Sequence, residues 1–293
     1  MLSSTPTGML AALAAILLWS ILAALSAQLS ALPPFLLTGL SLLLGATVTL
    51  PKWRDWRVPW RTFLIGSGAL FSYHLLLFSA LRLAPPVAAN LINYLWPLFI
   101  VLLSPLFDRQ LRLSVRLIVA ALLGFAGAAT VIASQPLQAA GAYAGLGFAL
   151  ALLAALIWAA YSQQLRRLPR FSSWAVGGFA SAAGLASLLI HWWFEPVTGI
   201  ANADWPWLLL LGLGPMGIAF VCWDLAMKRA DPRRIGVLAY ATPVLSTAWL
   251  LQVTGQAWTW SVALATLLVV GGALLTLSPA AARGNRPQSD NAC

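Results

Sequence analysis

The sequence predicts an all-α membrane protein in which ten transmembrane helices form two inverted five-helix repeats, with the N and C termini cytoplasmic. Three observations carry that fold class. The 293 residues are 61% hydrophobic and 8% charged, a balance that no water-soluble domain of this length sustains. The apolar residues gather into runs of about 20, the length that crosses a hydrocarbon core of ~30 Å. Residues 80–97, ALRLAPPVAANLINYLWP, reappear in weaker form 146 positions later as AMKRADPRRIGVLAYATP.

Ten spans follow in order at 8–28, 34–50, 62–82, 86–106, 113–133, 143–165, 173–194, 206–227, 233–252 and 258–278. Segments such as LAALAAILLW in span 1 and ALALLAALIW in span 6 are apolar throughout, whereas strands of a membrane barrel alternate apolar and polar residues. The N-terminal MLSSTPTGML lacks a basic region and a cleavage site, so span 1 is expected to be a retained helix. In the repeated segment, Ala80, Ala84, Pro86, Tyr94 and Pro97 meet Ala226, Ala230, Pro232, Tyr240 and Pro243, and Arg82 meets Lys228. With five spans in each copy, the second enters the bilayer upside down, an arrangement characteristic of secondary transporters with a site near the midplane. The expected units are residues 1–138 and 139–280, followed by a disordered cytoplasmic tail, 281–293. Gly124 and Gly127 in span 5, and Gly271 and Gly272 in span 10, allow close helix approach and mark those spans as scaffold.

Basic residues set the orientation, because cytoplasmic loops carry the positive excess. Lys52, Arg54, Arg57 and Arg61 join spans 2 and 3, Arg109, Arg112 and Arg116 join 4 and 5, and Arg166, Arg167 and Arg170 join 6 and 7. Lys228, Arg229, Arg233 and Arg234 join 8 and 9, Arg283 and Arg286 lie in the tail, and Arg82 alone falls on the opposite face with Glu195 and Asp204. The net charge of +10 is therefore a topology signal rather than a sign of nucleic-acid binding. Cys222 lies within span 8 and Cys293 ends the tail, so no disulfide is expected.

Ten of the fifteen tryptophans fall at predicted interfaces: Trp53, Trp56, Trp60 and Trp174 on the inner side, and Trp192, Trp193, Trp205, Trp207, Trp258 and Trp260 on the outer. Trp19, Trp96, Trp158, Trp223 and Trp249 lie inside spans, where the indole N–H needs a protein partner.

Span 4 places Asn90, Asn93, Tyr94 and Pro97 at i, i+3, i+4 and i+7, on one helix face. Pro97 has no N–H for the Asn93 carbonyl, so the helix should kink there. A polar stripe beside a kink suits a ligand cavity; the alternative is that the amides tie neighbouring helices together. Span 9 likewise places Gly236, Tyr240, Pro243 and Thr247 on one face, at i, i+4, i+7 and i+11, flanked by Ser246 and Trp249. Trp19 and Trp158 share their surroundings, LLWS and LIWA, and Trp158 and Tyr161 lie one turn apart near Gln164. Such aromatics suit flat or cationic ligands, and equally suit lipid-facing or core packing. His74 lies about eight residues inside Arg82, on the order of 12 Å deep. Ionisable groups at that depth are functional candidates, although a neutral histidine bonded to one neighbour is common. Asp224 is four residues before Lys228, which fits an interfacial ion pair.

The absent motifs narrow the function. No phosphate-binding GxxxxGK[ST] loop, HExxH, metal-spaced cysteine pair or GxSxG elbow occurs, so an ATP-driven pump and an intramembrane hydrolase are disfavoured and no cofactor or metal is expected. None of the seven carboxylates falls at midplane, which points to a ligand neutral overall or zwitterionic.

On these residues the chain resembles the EamA-type carriers of the drug/metabolite transporter superfamily, over about residues 8–279. The likeness rests on Trp19 and Trp158, on ALRLAPPVAAN and AMKRADPRRIG, and on Pro97 and Pro243, while NLINYLWPLFIVLLSPL is similar to the aromatic amino acid exporters within that family. Many EamA-type halves close the fourth helix with Gly-Glu; here Phe107-Asp108 and Gly255-Gln256 stand instead. The resemblance implies export of amino acids such as phenylalanine, tyrosine and tryptophan from a bacterial cytoplasm across the inner membrane, with weak or no coupling to the proton-motive force. The expected protein is a transporter rather than an enzyme, with a small-molecule amino acid and the bilayer as partners and no obligatory protein partner. A broad drug or metabolite exporter is the alternative transporter, and a membrane-embedded enzyme the alternative class. His74, Asn90, Asn93 and Tyr94 are the expected contacts to the α-amino and carboxylate groups, Trp158, Tyr161, Tyr240 and Trp249 to the side chain, and Pro97 and Pro243 the expected helix kinks.

Overall fold

Helices and their connections make up the described residues, with no strand among them, in a computed structural model that describes residues 5–29, 31–84, 86–133, 141–254 and 260–277. The tail 281–293 with Cys293, the 138/139 boundary, Trp258 and the Gly255-Gln256 pair lie outside the described residues.

The first half opens with α1 (Pro6–Ser20), whose first turn is capped by the Thr5 hydroxyl accepting from the Gly8 N–H, and α2 (Leu22–Gln28) continues it beyond Ile21. Next come α3 (Pro34–Thr47), a 3-10 turn (Leu50–Trp56) bent 95° from it, and α4 (Trp60–Leu83). Then follow α5 (Pro86–Asn93), α6 (Trp96–Phe107) and α7 (Val115–Ala133). The second half runs through α8 (Ala144–Gln164), α9 (Val176–Phe194), α10 (Trp205–Leu213), a π-helical turn (Gly214–Ile218) and α11 (Ala219–Arg229). It ends with α12 (Pro232–Ala239), α13 (Ala241–Thr254) and α14 (Trp260–Leu277).

Five described stretches are long and apolar enough to cross a membrane: Pro6–Ser26, Trp60–Leu83, Ala144–Gln164, Ser173–Phe194 and Asn202–Arg229. Taking α3 with its bent 3-10 turn as one span makes six, and Trp96–Phe107, Val115–Thr130 and Ala263–Gly272 are shorter apolar helices. The chain is a multi-pass membrane protein. Large apolar side chains such as Leu10, Leu189 and Leu267 face outward, where lipid rather than water is the solvent that suits them.

The two proline-bearing segments both break where the sequence places a kink. α5 stops at Asn93, the Leu95 N–H turns back to the Ile92 carbonyl at 3.0 Å, and the Phe99 N–H resumes regular bonding to Leu95. α12 stops at Ala239, and the Tyr240 N–H bonds the Val237 carbonyl at 3.2 Å. In each case the proline removes the next donor, so the turn before it tightens and the chain restarts as a new helix.

Helices of one half pack mainly on helices of the other: α3 on α9, α7 on α14, α6 on α12, α4 on α8 and α1 on α11. Exchanging the halves returns α3–α9 and α7–α14 to themselves and trades α4–α8 for α1–α11. Small residues permit the approach. A Cβ on Gly45 of α3 would stand 2.4 Å from the Met216 carbonyl oxygen in the π turn, and one on Gly272 of α14 would stand 2.7 Å from the Ala120 oxygen of α7. Gly124 and Gly127 sit in equally close contacts, whereas Gly271 has open space where a Cβ would lie.

Candidate functional site

Between the halves lies a cavity of about 170 Å³. Its polar wall comes from the first half. Tyr73 and His74 of α4 meet Asn90, Asn93 and Tyr94, which stand at the end of α5. The break after Asn93 rotates the chain, so that Trp96 reaches the wall while Pro97 is buried behind it. Thr242, near the start of α13, adds a hydroxyl from the second half.

Two buried polar atoms in this wall have no partner: Asn93 Oδ1 and Thr242 Oγ1. Leaving such an atom unsatisfied costs about 1–3 kcal/mol, and among the described residues such atoms also occur away from the cavity, as at Ser41 and Thr62. Asn93 is held by its Nδ2, which donates to the Tyr73 hydroxyl at 3.3 Å. The His74 Nδ1 lies 2.7 Å from the Leu70 carbonyl. A carbonyl demands an N–H there, which leaves Nε2 as the acceptor of the neutral ring.

The opposite wall is aromatic. Trp19 of α1 and Trp158 of α8 meet edge to face with centroids 5.9 Å apart, and Phe220 of α11 lies 5.7 Å from Trp19 and 5.8 Å from Trp158. Tyr73 tilts onto Trp158 at 5.2 Å. The Trp19 indole N–H donates to the Pro215 carbonyl at 3.0 Å, within the π turn. A π turn displaces carbonyls from the regular ladder, and here one of them orients a wall tryptophan. Behind this layer the Trp223 indole donates to Ser162 at 3.0 Å, and Trp96 packs edge-on against it.

The cavity thus gathers five of the expected contact residues, His74, Asn90, Asn93, Tyr94 and Trp158. Tyr161 is buried behind Trp158, with ring centroids 5.7 Å apart. Tyr240 and Trp249 are not brought to it. Tyr240 falls at the helix break, and its ring covers Gly124 and packs on Phe125 of α7. Trp249 lies on the outer side of α13 and is 47% exposed.

Phe220, Thr242, Met216, Leu22 and Leu77 were not singled out by sequence reasoning. A signal for two of them was present. The 146-residue offset carries His74 to Phe220 and Trp96 to Thr242, and the 139-residue offset carries Trp19 to Trp158; all six line the cavity. Tyr73 is adjacent to His74 in sequence, yet both reach the cavity, because Tyr73 turns toward Asn93 and Trp158.

Ionic groups lie beyond the two ends. Asp224 is buried and accepts from Lys228 Nζ at 2.6 Å, while Lys228 also donates to the Phe171 carbonyl. The Glu195 carboxylate is wholly buried, accepts the Phe35 and Leu36 N–H groups at the start of α3, and pairs with Arg82 and His191. The N-terminus of α3 and the Arg82 guanidinium compensate that charge. Among the described residues, no group of three His, Cys, Asp or Glu is placed to hold a metal ion.

Comparison with known proteins agrees with this architecture. The family model described as the EamA-like transporter family matches the chain twice, at residues 6–133 and 145–278. The aromatic amino acid exporter YddG of Ancylobacter novellus is 40% identical over 274 residues, covering 88% of this chain and 93% of that protein. The aromatic amino acid exporter YddG of Escherichia coli K12 is 27% identical over 250 residues, covering 80% and 82%. A solved crystal structure superposes with a TM-score of 0.90 at 39% identity, covering 97% of this chain and 100% of that one. With both halves matched and a relative this similar over nearly its full length, the chain belongs to the EamA-like transporter family.

Proposed function

We propose that this transporter exports amino acids, aromatic ones in particular, by alternating access through the central cavity. The observation that carries the reading is the two-faced wall, with orphaned Asn93 Oδ1 and Thr242 Oγ1 on one side and Trp19, Trp158 and Phe220 on the other. The acceptors Asn93 Oδ1, Thr242 Oγ1 and His74 Nε2 suit an α-ammonium group. The amides of Asn90 and Asn93 and the Tyr94 hydroxyl suit an α-carboxylate. The aromatic wall suits a ring by edge and face contact. At about 170 Å³ the cavity is close to the ~150 Å³ that accommodates one benzene ring in an engineered core, so single-ring side chains fit the space. No Asp, Glu, Lys or Arg stands in the wall, which suits a zwitterion better than a bare ion. The names of the relatives, exporters of aromatic amino acids, support the same substrate class.

In this reading ten spans cross a bacterial inner membrane, residues 1–138 and 139–280 form inverted repeats, and both termini are cytoplasmic. The broken pairs α5–α6 and α12–α13 each make one crossing. Their proline breaks beside the cavity supply hinges for the rocking of the halves.

Counterflow into liposomes containing the purified protein tests the substrate. Labelled phenylalanine is expected to accumulate against internal unlabelled phenylalanine, and a Trp158→Ala variant to lose most of that uptake. Equal exchange of many unrelated amines and drugs would favour a broad exporter, and no amino acid exchange would overturn the proposal.

A further inference from the structure

The 3-10 turn between α3 and α4 is more than a loop that happens to be basic. It leaves α3 at 95°, so it runs across the helix ends rather than along them. Its register is pinned by Trp56. That indole donates to Thr49 Oγ1 at 2.9 Å, and its ring occupies the space over Gly177 and Gly178 of α9. With Trp56 turned inward, the neighbouring cations and Trp53 must point out. Lys52, Arg54, Arg57 and Arg61 are all exposed, as are Trp53 at 52% and Trp60 at 67%.

The cations are arranged on aromatic faces. Arg54 and Arg57 lie 6.0 and 5.7 Å from the Trp53 ring, Arg61 lies 5.6 Å from Trp60, and Lys52 lies 5.1 Å from Trp174. None of the four forms an ion pair among the described residues. Residues 51–55 line a shallow, open concavity of about 480 Å³, to which Asp55 contributes the only carboxylate.

We infer that the turn at residues 50–61 is a binding surface for the headgroups of anionic phospholipids. Four cations against one carboxylate attract the phosphodiester, and the segment lies where the apolar helices α3 and α4 end, at headgroup depth. Exposed indoles beside the cations are at home at the boundary between acyl chains and headgroups. A soluble anion would account for the cations but not for the exposed Trp53 and Trp60. This surface is separate from the cavity and does not depend on what the protein carries.

The test uses the full chain in nanodiscs of phosphatidylglycerol mixed equally with phosphatidylcholine, then native mass spectrometry of the lipids retained after release. Retention of phosphatidylglycerol over phosphatidylcholine is expected. Lys52→Gln with Arg54→Gln should lower it roughly tenfold, since each basic residue at a membrane surface contributes a severalfold preference. Arg109→Gln with Arg116→Gln removes as much charge elsewhere and should leave retention unchanged. Trp53→Ala keeps every cation and should weaken retention severalfold, which covers the case of a charge variant that fails to insert. Equal retention of the two lipids by the wild type, or equal loss in both charge variants, would overturn the inference. Displacement of the retained lipid by inorganic phosphate would also overturn it, by assigning the surface to a soluble anion.

Discussion

Asn93 lines the cavity at the end of α5. Its Nδ2 is held by the Tyr73 hydroxyl while its Oδ1 is buried without a donor, so the side chain is oriented and incomplete at once. Asn93→Ala removes the acceptor without disturbing the helix, which already ends there. A charge-assisted hydrogen bond contributes about 1.5–3 kcal/mol, so counterflow is expected to fall roughly ten- to hundredfold while the folded yield stays normal. Wild-type flux would remove Asn93 from the site. Glu195 makes the opposite case, a charge that holds structure. Its side chain is fully buried whereas that of Arg82 is 46% exposed. Removing Arg82 leaves the buried carboxylate without its guanidinium, and an uncompensated buried charge costs about 3–5 kcal/mol. Thermal unfolding in detergent should therefore show a larger fall for Arg82→Gln than for Glu195→Gln, which removes the buried charge itself, and equal falls would refute the asymmetry. Spacing on a helix was enough to single out Asn90, Asn93 and Tyr94 together. It misplaced Tyr240, whose ring packs over Gly124 of α7, although Tyr94 at the matching break does reach the cavity.

At the scale of elements, proline chemistry made the breaks in spans 4 and 9 legible, since a missing N–H is a property of the residue itself. The π turn at Gly214–Ile218 likewise contains a proline, Pro215, whose missing N–H interrupts the regular ladder. Its surroundings come from neighbours: α3 approaches so closely that Gly45 meets the Met216 carbonyl, and the Pro215 carbonyl accepts from the Trp19 indole. Gly45→Val forces side-chain atoms against backbone that has nowhere to move, and overpacking of this kind costs about 1–3 kcal/mol or more. Thermal unfolding should show a lowered midpoint for Gly45→Val. Gly68→Ala, on an open face of α4, should leave the midpoint unchanged or slightly raised. A normal midpoint for Gly45→Val would mean that the α3 contact is looser than the geometry implies.

For the whole molecule, the pairing of α3 with α9, α6 with α12 and α7 with α14 makes the cavity a product of both halves. Its polar wall nevertheless comes mostly from one of them. His74 and Trp96 face Phe220 and Thr242 at the repeat offset, so the duplication retained positions and changed chemistry. Topology is testable at this scale. In a Cys222→Ser, Cys293→Ser background, Gly199→Cys should react with a membrane-impermeant maleimide on intact cells, and Arg109→Cys should react only after permeabilisation. The reverse pattern would invert the proposed orientation.

Composition and apolar run length were readable without coordinates, because each reflects a local free energy of transfer into a bilayer. The same holds for the repeat and the proline breaks, which are properties of the chain in order. Which side chains share the cavity was decided only by tertiary structure. Helix rotation and close packing at glycine are set jointly by two helices distant in sequence, and they turned Tyr240 and Trp249 away while bringing Tyr73, Phe220 and Thr242 into the wall.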